Sequence, residues 1–423
     1  MLAKIKHTYY EFPRNFWILV GAAFIDRLGG GLVFPFFAVY ITQRFDVGMT
    51  QVGQLFALFS VTGMIGGVLG GAMADKFGRK KIMIFGLVFS AITMLLFGLV
   101  DTLALLWLVS GTVGLLADTG FPAHHAMVAD LLPEEKRAEG FGIMRVVANL
   151  AITIGPLIGG LIATRSFTAL FVLDAITSTI MAIIVLVKLP ETKPESTPEV
   201  EKQSLLQTIS GYRIVLKDRL FLAFIGAQML MVVVYIQMNS TLPVYMNSFL
   251  GMSPSGYGML LSMNAGMVVL FQFWVTRKIT KYRPMMVMAA GTLLYAIGFA
   301  LFGFISAFGF FILAIVIITI GEMMVSPVSQ ALVAQFAPED MRGRYIAMND
   351  FCWIIPHAIG PLGAGIIMDN YNPVSLWKIA GVIGLVAVFS FVVLNTRMEH
   401  RRKQMALSKP ERCPTGKTVI ETV

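Results

Sequence analysis

Residues 70–81 read GGAMADKFGRKK, a short charged stretch wedged between two long apolar runs. Each residue type has a physical use there. Gly70 and Gly71 are small enough for one helix end to approach a neighbour closely. Asp75 can sit at the N-terminus of another helix, where the dipole favours an anion. Gly78 permits a tight turn. Arg79 can fork onto a carboxylate, and Lys80 adds a second cation. The plainer reading is a basic turn that only orients the chain in a bilayer.

The surrounding composition decides the class. The 423 residues are 57% hydrophobic and only 13% charged, against roughly 25% charged in soluble domains. A membrane span needs about 20 apolar residues. Candidate runs fall near 16–43, 51–73, 82–100, 103–129, 141–163, 167–189, 220–246, 255–276, 285–305, 308–333, 345–368 and 374–395. Without water in the bilayer core they must be helices or barrel strands, and they are too long for strands. The expectation is an all-α polytopic membrane protein of twelve spans. Of the 33 Lys and Arg, 28 lie in the termini and the even-to-odd loops; only Arg44, Arg165 and Lys378 lie opposite. The positive-inside rule then places both termini in the cytoplasm. The net charge of +9 is a topology signal, and no nucleic-acid partner is expected. The first run is too long for a signal peptide, and Cys352 and Cys413 lie too far apart in character, one in a span and one in the tail, for a disulfide.

The organisation reads as a basic lead over 1–15, a six-helix bundle over 16–189, a polar linker over 190–218 (including PETKPESTPEVEKQ), a second bundle over 219–396 and a basic tail over 397–423. The halves repeat at a constant offset of 205 residues: Pro122 with Pro327, Pro133 with Pro338, Arg137 with Arg342, and IGPLIGG at 154–160 with IGPLGAG at 359–365. Duplicated six-helix halves are a transporter architecture with the substrate site between them.

Gly71, Asp75, Lys76, Gly78, Arg79 and Lys80 stand at the spacing G-x-x-x-D-[RK]-x-G-R-[RK], which resembles the loop between helices 2 and 3 of the major facilitator superfamily. The resemblance implies two pseudo-symmetric six-helix bundles alternating around a central site. It also implies that Asp130 partners Arg79, with Asp75 completing a latch that holds the outward-facing state. Ala151, Gly155, Pro156, Gly159 and Gly160 resemble the antiporter motif of helix 5, a hinge and seal in that family; close packing of small residues is the alternative. GEMMVSPVSQAL around Glu322 resembles helix 10 of lactococcal-type multidrug/proton antiporters, in which the matching acid binds cations and protons. LGGGLVFPFFAVY after Asp26 resembles a helix-1 motif of drug/proton antiporters. Arg145 and Asn239 stand where the lactococcal pattern has acids, and Trp107 replaces the usual helix-4 Arg, so stoichiometry and dicationic preference do not carry over.

Ionisable residues inside spans are costly and face cavities or one another. They are Asp26, Arg27, Asp118, Arg145, Asp174, Glu322, Asp350 and His357. Glu322 lies about 20 Å along its helix at ~1.5 Å per residue. Water-poor surroundings disfavour its charged form, which suits a group that takes up a proton on one side and releases it on the other. Asp26 is a second such acid, unless Arg27 neutralises it. Arg145 and Asp350 occupy equivalent positions of the two halves, which suggests a state-dependent pair or two lips of the cytoplasmic cavity. The proton-coupling and substrate candidates are Glu322, Asp26, Asp118, Arg145, Asp350 and Asn239. His124 and His125 point about 100° apart on a helix, so no metal site is expected. No GxxxxGK[ST] appears, so the expected energy source is a proton gradient with no cofactor.

These observations predict proton-coupled efflux of lipophilic or cationic small molecules by a functional monomer in a cell's inner membrane. A lipid flippase or an uptake symporter of the same fold are alternatives. A non-transporting sensor would leave Glu322 and Asp26 without work.

Overall fold

The computed structural model describes residues 10–193, 215–338 and 341–407. Twelve long apolar helices account for it: α1 Arg14–Phe45, α2 Met49–Phe77, α3 Arg79–Leu99, α4 Leu103–Asp130, α5 Glu134–Ala163, α6 Phe167–Lys188, α7 Arg219–Ser240, α8 Pro254–Ile279, α9 Pro284–Leu301, α10 Phe308–Phe336, α11 Arg344–Asn370 and α12 Val374–Glu399. Their ends follow local chemistry. Ser166, Ser253 and Asp218 accept from backbone N–H groups at the starts of α6, α8 and α7, satisfying otherwise orphaned donors. Pro254 and Pro284 occupy first-turn positions, where a missing N–H costs nothing. Gly78, at φ +108°, separates α2 from α3.

Among the described residues three helices are interrupted within their spans, and in α1 the break is a 3-10 turn at Phe34–Phe36. α4 is interrupted at Asp118–Thr119. α7 breaks after Tyr235, continues over Gln237–Ser240, and is followed by Leu242–Val244 and a π turn at Tyr245–Phe249. The second bundle outlasts the expected end at 396, because the helix that opens α12 runs to Leu407; the tail residues 408–423 lie outside the described residues. So does 194–214 of the expected linker.

The repeat is visible in the packing. In the first bundle α1 contacts α5 and α6, α3 contacts α6, and α2 contacts α4. In the second, α7 contacts α11 and α12, α9 contacts α12, and α8 contacts α10. Side chains such as Leu270 (74% exposed), Phe273 (73%) and Val68 (72%) form the outer surface, an apolar exterior of the kind a hydrocarbon solvent requires.

The bundles meet through α2 with α11 and α5 with α8. We call the face bearing both termini the terminal face and its opposite the far face. The glycine notches between the bundles lie at the far face, and nearer the terminal face the Arg145 side chain reaches across. A Cβ on Gly53 would fall 2.4 Å from Leu362 Cα, one on Gly365 2.5 Å from the Met49 carbonyl carbon, and one on Gly258 2.2 Å from the Pro156 oxygen. Gln43 Nε2 also donates to Asn247 Oδ1 at 2.6 Å. Towards the terminal face, by contrast, a Cβ on Gly67 of α2 or on Gly142 of α5 would meet nothing within 4 Å. The structure is closed at the far face and parted at the terminal face.

Candidate functional site

Between the bundles lies a cavity of about 660 Å³ lined from both halves, with Asp26, Asp118 and Asp174 on one side and Tyr235, Asn264 and Glu322 on the other. On the second-bundle side, Asn264 Nδ2 of α8 donates to Glu322 Oε2 at 2.9 Å and to Thr319 Oγ1 at 2.9 Å. Thr319 sits three residues before Glu322 on α10, so one amide spans one helical turn and sets the carboxyl's direction. Tyr235 lines the same side of the cavity as this carboxyl. Tyr235 is held in turn against Tyr295 and Trp353, with ring centroids 5.4 and 6.2 Å away.

On the first-bundle side, Ser178 Oγ of α6 donates to Asp26 Oδ1 of α1 at 2.8 Å. Arg27, next in the chain, lies over the Phe121 ring at 5.8 Å. Among the described residues it makes no ion pair with Asp26, so the expected local neutralisation is not a direct one. Asp118 stands at the break in α4, against Gly63 of α2, where a Cβ would meet its Oδ2 at 2.4 Å.

A second lobe of about 300 Å³ adjoins this cavity and is lined by Phe34, Phe37, Phe56, Phe59 and Phe97. Asp118 and Asn239 line both lobes. Asn239 reaches them because α7 is broken there, and the freed Met238 carbonyl accepts from the Tyr257 hydroxyl at 2.8 Å. The arrangement thus sets aromatic faces beside the Asp118 carboxyl.

Arg145 and Asp350 do not pair. Arg145 instead crosses between bundles to α10, donating to Gln330 Oε1 at 3.1 Å and Ser326 Oγ at 3.4 Å. Equivalence in a repeat fixes the place of two residues in their own halves and not the distance between them.

The loop network brings Arg79, Asp130 and Asp75 together. Arg79 Nε donates to Asp130 Oδ2 at 3.1 Å, and its other nitrogens reach Asp75 at 3.1 Å and the Ala74 carbonyl at 3.1 Å. All of these groups belong to the first bundle, and the cluster is complete while the terminal face is parted. The bonds alone therefore do not hold that face shut. Glu191, just past α6, is an unanticipated member. It accepts from the backbone N–H of Arg79 at 2.8 Å and of Lys80 at 3.3 Å. Burial raises this carboxyl's proton affinity, but backbone donors from Lys193, Lys80, Arg79 and Thr192 more than offset it, and its pKa falls below the ordinary value. Gly78 is required twice over, by its positive φ and because a Cβ would stand 2.3 Å from Glu191 Oε2. Lys80 contributes its N–H. Gly71 faces only Pro122, at 3.9 Å.

The small residues of α5 form a seam. Gly155 backs onto Gly31 of α1 (2.7 Å from a Cβ to the Gly31 carbonyl carbon), Gly159 onto the Leu32 oxygen (2.5 Å), and Gly160 onto the Pro254 oxygen (2.9 Å). Pro156 presents its carbonyl to Gly258. One helix face therefore packs on α1 while the next closes the far face against α8. Sequence reasoning missed Asn264 and Asp369 as well as Glu191. Asp369 ends α11 and caps α2 across the bundle boundary, accepting from Met49 N at 2.9 Å and Thr50 N at 2.7 Å. The available signal was the absence of a capping side chain at Gly48.

Comparison with known proteins agrees with this architecture. The family model of the Major Facilitator Superfamily matches residues 19–356 and again 237–414. A Na+, Li+, K+/H+ antiporter of Planococcus maritimus is 30% identical over 411 residues, covering 89% of this chain and 94% of that protein. The quinolone resistance protein NorA of Staphylococcus aureus is 25% identical over 397 residues, covering 92% and 98%. A variant of the nucleoside transporter NupG superposes with a TM-score of 0.78 at 15% identity, covering 90% of this chain and all of that one. At that identity the likeness concerns the fold.

Proposed function

The chain belongs to the Major Facilitator Superfamily and is a multi-pass membrane transporter rather than an enzyme; from that premise we propose that it exports lipophilic cations in exchange for protons. Glu322 carries the reading: a carboxyl deep in a span, aimed into the central cavity and held by Asn264. A charged carboxyl is costly so far from bulk water. It is discharged either by a proton or by a cationic cargo, and competition between the two couples their flows. The aromatic lobe beside Asp118 supplies the apolar half of the recognition. The Planococcus relative is a cation/proton antiporter, which fits exchange against protons, and NorA is a quinolone resistance protein, which fits a drug-like cargo.

Under the positive-inside rule the terminal face is cytoplasmic, and the described arrangement is the one that loads cargo from inside. The energy source is the proton gradient, and a single copy suffices because both halves of the cavity come from one chain.

The test is substrate-induced proton movement in proteoliposomes, wild type beside Glu322→Gln, across lipophilic cations and neutral drugs. Proton release coupled to cation uptake, lost in Glu322→Gln, is expected. Cargo flux indifferent to the pH gradient would overturn the coupling. No flux of any drug, with lipid movement instead, would favour the flippase reading.

A further inference from the structure

A second, separate feature lies where α1 and α6 cross. These helices run antiparallel, so Ser178 faces Asp26 and Asp174 faces Gly29 one turn further along each. A Cβ on Gly29 would fall 2.4 Å from Asp174 Oδ1, so the carboxyl fills the notch that glycine leaves. Residues three apart on a helix lie about 5–6 Å apart at Cβ, which places the Asp26 and Asp174 carboxyls along one crevice at the cavity wall. Asp174 is only 3% exposed. Its carboxylate accepts no hydrogen bond and joins no ion pair among the described residues; the Thr177 hydroxyl bonds its backbone oxygen instead, at 2.8 Å. With no such protein donor, its oxygens are served only from the cavity that Asp174 lines.

We propose that Asp26, Asp174 and the Ser178 hydroxyl form a monovalent-cation site that exchanges Na+-class ions against protons, distinct from the Glu322 site. It rests on the reading of this protein as a proton-coupled exchanger. The donors are all hard oxygens: two carboxylates and a hydroxyl whose proton is committed to Asp26, so that its oxygen is left as an acceptor. Divalent ions require six or more oxygens, and among the described residues no three His, Cys, Asp or Glu converge for a metal ion. A loosely held alkali ion suits such a sparse set, and a transported ion must also leave. The other charged or titratable groups facing the crevice are Arg27 of α1, Asp118 and His124 of α4 and, across the cavity, Glu322 and Tyr235. Arg27 is engaged over Phe121 and sits in the neighbouring notch, so it lessens the local negative charge without ligating either carboxylate.

The test uses the full chain in nanodiscs and measures equilibrium binding of radioactive Na+, with N-methyl-D-glucamine keeping the ionic strength constant. Wild type should bind saturably at pH 8.5 and at least tenfold more weakly at pH 6.5, as protons compete. Asp174→Asn should weaken binding at least tenfold at pH 8.5. Ser178→Ala removes one ligand without removing a charge, carries the test should Asp174→Asn not fold, and should weaken binding three- to tenfold. Li+ and K+ should compete where Ca2+ does not. No saturable binding in wild type, wild-type affinity in both variants, or equal competition by Ca2+ would overturn the proposal. Proton exchange driven by a lipophilic cation, assayed on the same preparation, separates the readings: if it persists without Na+ binding, only the alkali-ion site falls.

Discussion

Replacing Asp369 should loosen the far face of the transporter. The carboxylate closes the start of α2 from another bundle, accepting from Met49 N at 2.9 Å and Thr50 N at 2.7 Å. Gly48 at the N-cap offers no side chain of its own. Loss of a capping side chain costs about 1 kcal/mol. Loss of the anion from a helix N-terminus costs up to about 1 kcal/mol more. Because the contact exists only while α2 and α11 touch, the sum of about 2 kcal/mol acts on the open–closed equilibrium. At ~1.4 kcal/mol per tenfold, Asp369→Ala should shift that equilibrium roughly 30-fold toward far-face opening. Asp369→Asn keeps an acceptor and loses the charge, so about half the effect remains. Gly48→Ala should resemble Asp369→Ala, since its Cβ would lie 2.4 Å from Asp369 Oδ2 and 2.7 Å from Cγ. The two together should be no worse than either alone, because both remove one contact. Spin-label distances between far-face loops of the two bundles report the populations. Identical distance distributions in wild type and Asp369→Ala, or strictly additive effects with Gly48→Ala, would refute the reasoning.

Further outcomes follow from the same geometry. Gly258→Val should jam the α5–α8 seam, since even a Cβ would sit 2.2 Å from the Pro156 oxygen; cross-linking across the far face should fall, and an unchanged yield would refute this. Gly78→Ala should dislodge Glu191 and lower amide-exchange protection of Arg79 and Lys80 by about tenfold or more, with a charge-assisted hydrogen bond worth about 1.5–3 kcal/mol when well shielded; the same substitution should cost clearly less in a Glu191→Ala background. The depressed pKa of Glu191 means that its docking is at full strength above the ordinary carboxylate value of about 4.3 and is lost as pH falls through the lower folded value. Protection of the Arg79 amide, corrected for intrinsic exchange, should therefore persist through pH 4.3 and decline below it; decline starting above pH 5 would count against the contact. Arg145→Lys should retain at most one of the bonds to Gln330 and Ser326, because an ammonium lacks the guanidinium fork; labels on α5 and α10 should then separate more often than in wild type, and unchanged populations would deny the bridge a role.

Twelve spans, their duplication and the charged loop after α2 were legible in the sequence because each is a property of consecutive residues. Apolar run length responds to the bilayer, and the 205-residue offset needs only the order of prolines and glycines. Glu322 and Asp26 were legible as well, since a carboxylate in an apolar span is conspicuous wherever it points. Their partners were not. Asn264 lies 58 residues from Glu322, and Ser178 lies 152 from Asp26; helix rotation and pairing decide those contacts. Arg145 and Asp350 show the limit from the other side, since the repeat aligned them and yet Arg145 reaches Gln330. Glu191 looked like the opening of a linker until its carboxylate met the N–H groups of Arg79 and Lys80. The sequence by itself determined which segments enter the membrane and which carry charge there, because hydropathy and period are local. Only the tertiary structure decided which face is closed and which carboxyls have partners, because glycine notches and cross-bundle caps such as Asp369 exist only once two helices from distant parts of the chain are pressed together.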